Sequence, residues 1–114
     1  MNVSDILSKA ADLIEERGLN KGWYFGPDGS CCMRGAIILA TDPTYPLLSE
    51  AEAAQASAVP FIPFDASKAF RKLDAHLLRR HICFDAVSWQ DAEERTEEEV
   101  VGELRAAAEA ARAG

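Results

Sequence analysis

Apolar side chains recur at helical spacing in three stretches of the chain, which predicts three amphipathic helices. The first stretch covers residues 3–14 and stops before Gly18, a residue type that commonly ends a helix. The second begins at Ser67, a good N-cap, and continues through a basic segment. The third follows Thr96, which can form a capping box with Glu99.

Between the first two helices the pattern changes to an aromatic run, a turn and a continuous apolar run. Residues 23–25 favour a strand, residues 26–29 supply turn chemistry, and residues 31–33 can return as the second strand of a hairpin. The apolar run that follows predicts a short buried helix from about residue 34, stopped by Asp42 and Pro43. The pattern therefore predicts an α+β, mainly α fold of four to five helices with one short β-hairpin.

The 114 residues fit a single compact domain, 1–114, with an irregular insert at about 43–64 that contains four prolines. Near the end of this insert, an apolar segment broken by proline carries Phe61, Ile62 and Phe64. These side chains either pack into the core or form a partner-binding loop.

The net charge of -7 is unevenly distributed. Residues 1–84 carry 10 acidic and 9 basic side chains, whereas residues 85–114 carry 9 acidic and only 3 basic ones. This balance argues against a general nucleic-acid binder and against a polybasic membrane anchor. The acidic segment includes Glu93, Glu94 and Glu103, which are candidates for contact with a protein partner.

Four basic residues of the second amphipathic helix are candidates for binding an anion or nucleic acid: Lys68, Arg71, Lys72 and Arg79. Together with Arg80 these residues form a basic stripe, for which two simpler interpretations remain open. It can form a solvated helix face, or it can pair with the acidic terminal helix.

The three cysteines, Cys31, Cys32 and Cys83, do not form a disulfide framework, which favours a cytoplasmic location. A thiol at a helix start can be a nucleophile, so Cys31 or Cys32 with His76 or His81 as base is a catalytic hypothesis. Asp91 or Asp85 could orient that base. The alternative is that the cysteines simply pack in the core. The spacing of cysteines and histidines lacks the paired pattern of zinc sites, so we expect neither metal nor cofactor.

Four short motifs follow one another along the chain: Gly22-Trp23, Asp28-Gly29-Ser30-Cys31-Cys32-Met33-Arg34-Gly35-Ala36, Trp89-Gln90-Asp91, and Arg95-Thr96 followed by Val100. In this order they resemble a family of small proteins from actinobacteria and their phages, classified only as a domain of unknown function. The resemblance covers roughly residues 7–41 and 82–112. It implies a shared fold and carries no activity with it.

We therefore expect a non-catalytic protein-binding module without a cofactor or a membrane segment, which could be a phage-encoded modulator of a bacterial host protein. The alternatives are a small cysteine-dependent enzyme and a nucleic-acid or anion contact through the basic helix face at residues 68–80.

Overall fold

Helices dominate the computed structural model, which describes residues 2–22, 24–26, 28–43, 63–81 and 85–113. Within these ranges the structure contains five helices and no β-sheet. The helices are α1 (Val3–Arg17), α2 (Met33–Thr41), α3 (Phe64–Arg80), α4 (Ala86–Gln90) and α5 (Glu97–Ala113). The predicted mainly helical fold is confirmed.

The first and last helices, α1 and α5, pack against each other in antiparallel orientation. At one end the Ser4 hydroxyl donates a hydrogen bond to the carbonyl of Ala108 at 2.8 Å. At the other end the amide of Leu19, just beyond α1, donates to Glu97 Oε1 at 2.9 Å. Helix α1 also contacts α2 and α3, so it lies at the centre of the bundle.

Helix α2 is the buried helix that the apolar run predicts. It begins at Met33, and Cys32 is its N-cap residue. Its buried side chains include Ile37 and Ile38, which are fully enclosed. The helix ends at Thr41, directly before the predicted Asp-Pro stop.

The predicted β-hairpin is not shown by the described residues. Instead, Cys31 forms isolated bridges, antiparallel with Phe25 and parallel with Leu19. The amide of Gly26 donates to the carbonyl of Ser30 at 2.8 Å and closes the turn. Met33, expected in the returning strand, is already helical. Too few residues therefore remain between the turn and α2 to extend a strand pair.

Gly35 lets α2 approach the preceding aromatic segment closely. A Cβ atom at this position would collide with the carbonyl oxygen of Tyr24 and would lie 3.1 Å from Cε1 of Phe25. The same Tyr24 carbonyl accepts a hydrogen bond from the amide of Cys32 at 3.0 Å. A residue without a side chain is thus required where the helix crosses this backbone.

The starts of the later helices partly follow the sequence pattern. Helix α3 begins at Phe64 rather than after Ser67, with Pro63 at the N-cap position. Helix α5 begins as predicted: the Thr96 amide donates to Glu99 Oε1 at 3.1 Å, and the Glu99 amide donates to Thr96 Oγ1 at 3.2 Å. The short helix α4 was not predicted. Most of the proposed insert at 43–64, including Phe61 and Ile62, lies outside the described residues.

Candidate functional site

The two cysteines at the start of α2 are enclosed in the protein. Cys31 is completely buried and Cys32 is 3% exposed. The Cys32 sulfur accepts a hydrogen bond from the amide of Gly35 at 3.3 Å. Burial raises the pKa of Cys31 to about 12 and that of Cys32 to about 11. A helix N-terminus can activate a thiol, but desolvation outweighs that effect here.

The two histidines, His76 and His81, face one buried carboxylate, that of Glu103 on α5. His81 Nε2 donates a hydrogen bond to Glu103 Oε1 at 2.6 Å. His76 Nε2 lies 3.7 Å from Glu103 Oε2 and has no hydrogen-bond partner among the residues that the structure describes. In the described part of the chain, no hydrogen bond joins either imidazole to Cys31 or Cys32. The structure therefore does not assemble the hypothesised cysteine–histidine pair.

Glu103 is held by a cation as well as by a histidine, because Arg80 Nε donates to its Oε1 at 2.9 Å. Glu103 is only 7% exposed, which corrects the expectation that it contributes to an exposed partner-binding surface. Burial works to raise the pKa of Glu103, but hydrogen bonds from His81 and Arg80 lower it below its ordinary value. Burial lowers the pKa of His76, although the nearby Glu103 opposes this change. The cluster of Glu103, Arg80 and the two histidines links α3 and its C-terminal end to α5.

Asp91, considered as an orienting residue for a catalytic base, has a structural position instead. Its Oδ1 accepts hydrogen bonds from Gln90 Nε2 at 2.8 Å and from the amide of Gly22 at 3.4 Å. Gln90 in turn accepts a hydrogen bond from the amide of Met33 through Oε1 at 2.6 Å. These contacts connect the end of α4 to the start of α2.

A second polar group, which the sequence analysis did not identify, surrounds Arg34 on α2. Its Nη2 atom lies 3.4 Å from Asp74 Oδ2 and 3.6 Å from Asp85 Oδ2. The guanidinium also lies over the ring of Phe70, 5.2 Å from its centroid. Asp74 accepts a further hydrogen bond from the amide of Ala86. Arg34 thus connects α2, α3 and the start of α4.

Neither polar group presents a metal-binding arrangement. In the described ranges, no set of three or more His, Cys, Asp and Glu side chains is positioned to hold a metal ion. Cys83, the third cysteine of the chain, lies outside these ranges.

A surface groove combines two sets of residues that the sequence analysis treated separately. It is lined by Val3 from the start of α1 and by Phe64, Lys68, Arg71 and Lys72 from α3, and it has a volume of about 480 Å³. We call it the Phe64 groove. The Phe64 side chain is 69% exposed, and Lys68 Nζ lies 4.8 Å from the centroid of its ring. The aromatic partner-binding candidate and three anion-binding candidates therefore share one surface.

The other predicted surface residues lie elsewhere. Glu93 and Glu94 are exposed in the turn that precedes α5. Arg79 is exposed near the end of α3 and does not line the Phe64 groove.

Nearly the whole chain matches one known protein family. Residues 1–110 match the sequence profile of a family of unknown function designated DUF6197. The chain belongs to this family. The match confirms the resemblance to a domain of unknown function.

Further comparisons of the DUF6197 chain give no functional assignment. No curated protein and no solved structure matches it. Among the residues that the structure describes, no helix combines the length and apolar content needed to cross a bilayer.

Sequence reasoning could have placed Glu103 correctly. It follows Val100 by three residues and precedes Ala107 by four, and both of these belong to the buried face of α5. No pattern in the sequence indicates that Val3 lines the groove, because its position there depends on the packing of α1 beside α3.

Proposed function

We propose that this protein is a non-catalytic protein-binding module that docks its partner on the Phe64 groove. The observation that carries the proposal is the exposed Phe64 ring beside three cationic side chains. Aromatic and arginine side chains supply much of the binding energy of protein interfaces. A single exposed apolar side chain is ordinary on a protein surface, so the proposal rests on the combination of the Phe64 ring with the groove and its three cations.

The environment of the thiols favours binding over cysteine chemistry. A nucleophilic cysteine needs a lowered pKa and access to its substrate. Cys31 and Cys32 are buried, and their pKa values are raised to about 12 and about 11. His81 is hydrogen-bonded to Glu103, and His76 lies 3.7 Å from the same carboxylate, so both histidines have a structural position away from the thiols.

The resemblance to proteins of actinobacteria and their phages extends the proposal to a modulator of a bacterial host protein. A small chain that acts by occupying a host surface needs no catalytic site. An exposed groove that the rest of the chain holds in a fixed position is sufficient for that role.

A second candidate function is supported by the three cations of the groove. Lys68, Arg71 and Lys72 could contact an anion or a nucleic-acid phosphate. Binding of this kind would weaken steeply with salt and would give retention on heparin, whereas a docked protein segment also depends on the Phe64 ring.

Site-specific photo-crosslinking tests the protein-binding proposal. A photoreactive amino acid is placed at position 64 or, as a control, at position 78 in the native cell. Leu78 is a suitable control because it lies on the same helix and is 51% exposed. We expect one discrete protein adduct from position 64 that a wild-type competitor suppresses, and no such adduct from position 78.

Two outcomes would contradict the proposal. One is the absence of a protein adduct from position 64. The other is an identical set of adducts from both positions, because this would indicate nonspecific capture by exposed apolar side chains.

A further inference from the structure

The Phe64 groove lies where two helices begin. Val3 is the first residue of α1, and Phe64 is the first residue of α3. Helix N-termini carry a partial positive charge because their first amides lack intrahelical acceptors. Lys68, Arg71 and Lys72 add three full positive charges, and none of the lining residues that the structure describes carries a carboxylate. Asp5 and Asp65 occupy the first turns of these helices but do not line the groove.

The three cations have no ion pair with any residue that the structure describes, which is also true of Arg79 farther along the same helix. By contrast, Arg80 contacts Glu103, and Arg105 contacts Asp12 and Glu15. The cations of the groove are therefore available to a carboxylate from outside, without a competing internal pair to break.

The groove is positively charged, whereas the whole chain has a net charge of -7. An acidic partner is repelled by most of this surface and attracted to the groove. Such a difference favours one orientation of encounter over the others. A basic partner would instead be drawn to the acidic segment around Glu93 and Glu94.

The groove also offers an apolar contact beside its charges. The lining is mainly apolar, since it contains Val3, the Phe64 ring and the long side chains of the basic residues. The cation–π contact with Lys68 favours one position of the exposed Phe64 ring. A matching ligand therefore combines carboxylates with at least one apolar side chain.

We infer that the Phe64 groove binds an acidic segment of a partner protein, in which an apolar side chain packs on Phe64 while carboxylates pair with Arg71 and Lys72. This inference rests on the proposed protein-binding function and specifies the chemistry of the partner. Nucleic acid, which shares the anionic character but lacks an aliphatic anchor, is the competing occupant.

Three matched short peptides test this chemistry by fluorescence anisotropy with the full chain. The first alternates Glu and Leu, the second replaces every Glu with Gln, and the third replaces every Leu with Ser. We expect the first peptide to bind at least about ten-fold more tightly than either of the others at low salt. Its affinity should fall as ionic strength rises from about 50 mM to about 500 mM.

Charge reversal in the protein supplies a readout that a merely structural role would not affect. The double variant Arg71→Glu/Lys72→Glu should lose the Glu–Leu peptide and should prefer a Lys–Leu peptide instead. The variant Arg79→Glu is the matched control, because Arg79 lies on the same helix outside the groove, and its preference should not reverse. Circular dichroism melting curves verify that each variant is folded.

The outcomes separate the two proposals. Equal binding of the Glu and Gln peptides, no binding of any peptide, or unchanged preference after charge reversal would overturn the acidic-segment inference. Tighter binding of a single-stranded oligonucleotide than of the Glu–Leu peptide at equal salt would also overturn it, in favour of nucleic acid. None of these results alters the crosslinking readout at position 64, which tests protein binding independently.

Discussion

Replacing Gly35 with alanine tests the close crossing of α2 over the aromatic segment. The new Cβ would overlap the carbonyl oxygen of Tyr24 and lie 3.0 Å from its carbonyl carbon. Ordinary carbon–carbon contacts lie at about 3.5–4.0 Å, so the backbone must move by about 0.5–1 Å. That movement also disturbs the hydrogen bond from the Cys32 amide to the same carbonyl.

The expected cost combines three effects. Overpacking costs about 1–3 kcal/mol, and weakening the hydrogen bond adds about 1 kcal/mol. The better helix propensity of alanine returns about 1 kcal/mol. We therefore expect Gly35→Ala to lower the free energy of unfolding by about 1–3 kcal/mol, which is a substantial part of the stability of a small domain.

Gly102→Ala is the matched control. Gly102 lies on the exposed side of α5, and a Cβ there meets no atom of the described residues within 4 Å. Its replacement should raise the free energy of unfolding by about 1 kcal/mol through helix propensity. Urea unfolding followed by circular dichroism measures both variants at equal m-values. If Gly35→Ala is as stable as Gly102→Ala, the proposed steric requirement at Gly35 is wrong.

Two further predictions follow from the buried ionisable groups. The first concerns the thiols, studied in a Cys83→Ser background. Near neutral pH, Cys31 and Cys32 should react with a thiol reagent only as fast as local unfolding exposes them, because their pKa values are raised. Rapid reaction of the folded protein would contradict those raised values. The second concerns pH. Because the pKa of His76 is lowered from 6.5 in the folded state, the free energy of unfolding should fall as the pH drops below about 6.5. The pKa of Glu103 is also lowered in the folded state, so a further loss should follow below about 4.5. Urea unfolding at several pH values should show a smaller loss near pH 6 for His76→Leu than for wild type, and an identical pH profile would contradict this assignment.

The helices are the part of the fold that local sequence patterns predict well. The start of α5 follows from the capping box of Thr96 and Glu99, and the end of α2 follows from the Asp42-Pro43 stop. Both signals act between residues that are close in sequence, and their physics needs no distant contact. Local chemistry of this kind is visible before any packing is known.

The predictions that differ from the structure depended on competition between neighbouring elements. Residues 31–33 have a plausible strand composition, but α2 begins at Met33 and uses Cys32 as its N-cap. Helix formation therefore takes the residues that the hairpin required. At α3, Ser67 is a good capping residue, yet the helix begins three residues earlier, directly after Pro63, whose φ of -54° suits a helix entry.

The polar groups of the candidate site could be predicted only in part. The spacing of Glu103 from Val100 and Ala107 places it on the buried face of α5, so its burial was accessible from the sequence. Its partners were not, because Arg80 and His81 come from the end of a different helix. Contacts between distant segments depend on how the helices pack, and one helix's periodicity contains no information about them.

The basic residues of α3 have different environments at the two ends of the helix, and each end fits a different interpretation of the basic stripe. At the C-terminal end, Arg80 pairs with Glu103 on the acidic helix, which satisfies the internal-pairing interpretation. Toward the N-terminal end, Lys68, Arg71 and Lys72 have no carboxylate partner among the described residues and instead line a groove beside an exposed ring. A charge that stabilises the fold is already engaged in its pair. Of the charges without such a pair, Lys68, Arg71 and Lys72 lie beside the exposed Phe64 ring, whereas Arg79 lies outside the groove. For this reason we place the proposed docking surface at the start of α3 rather than along the whole helix.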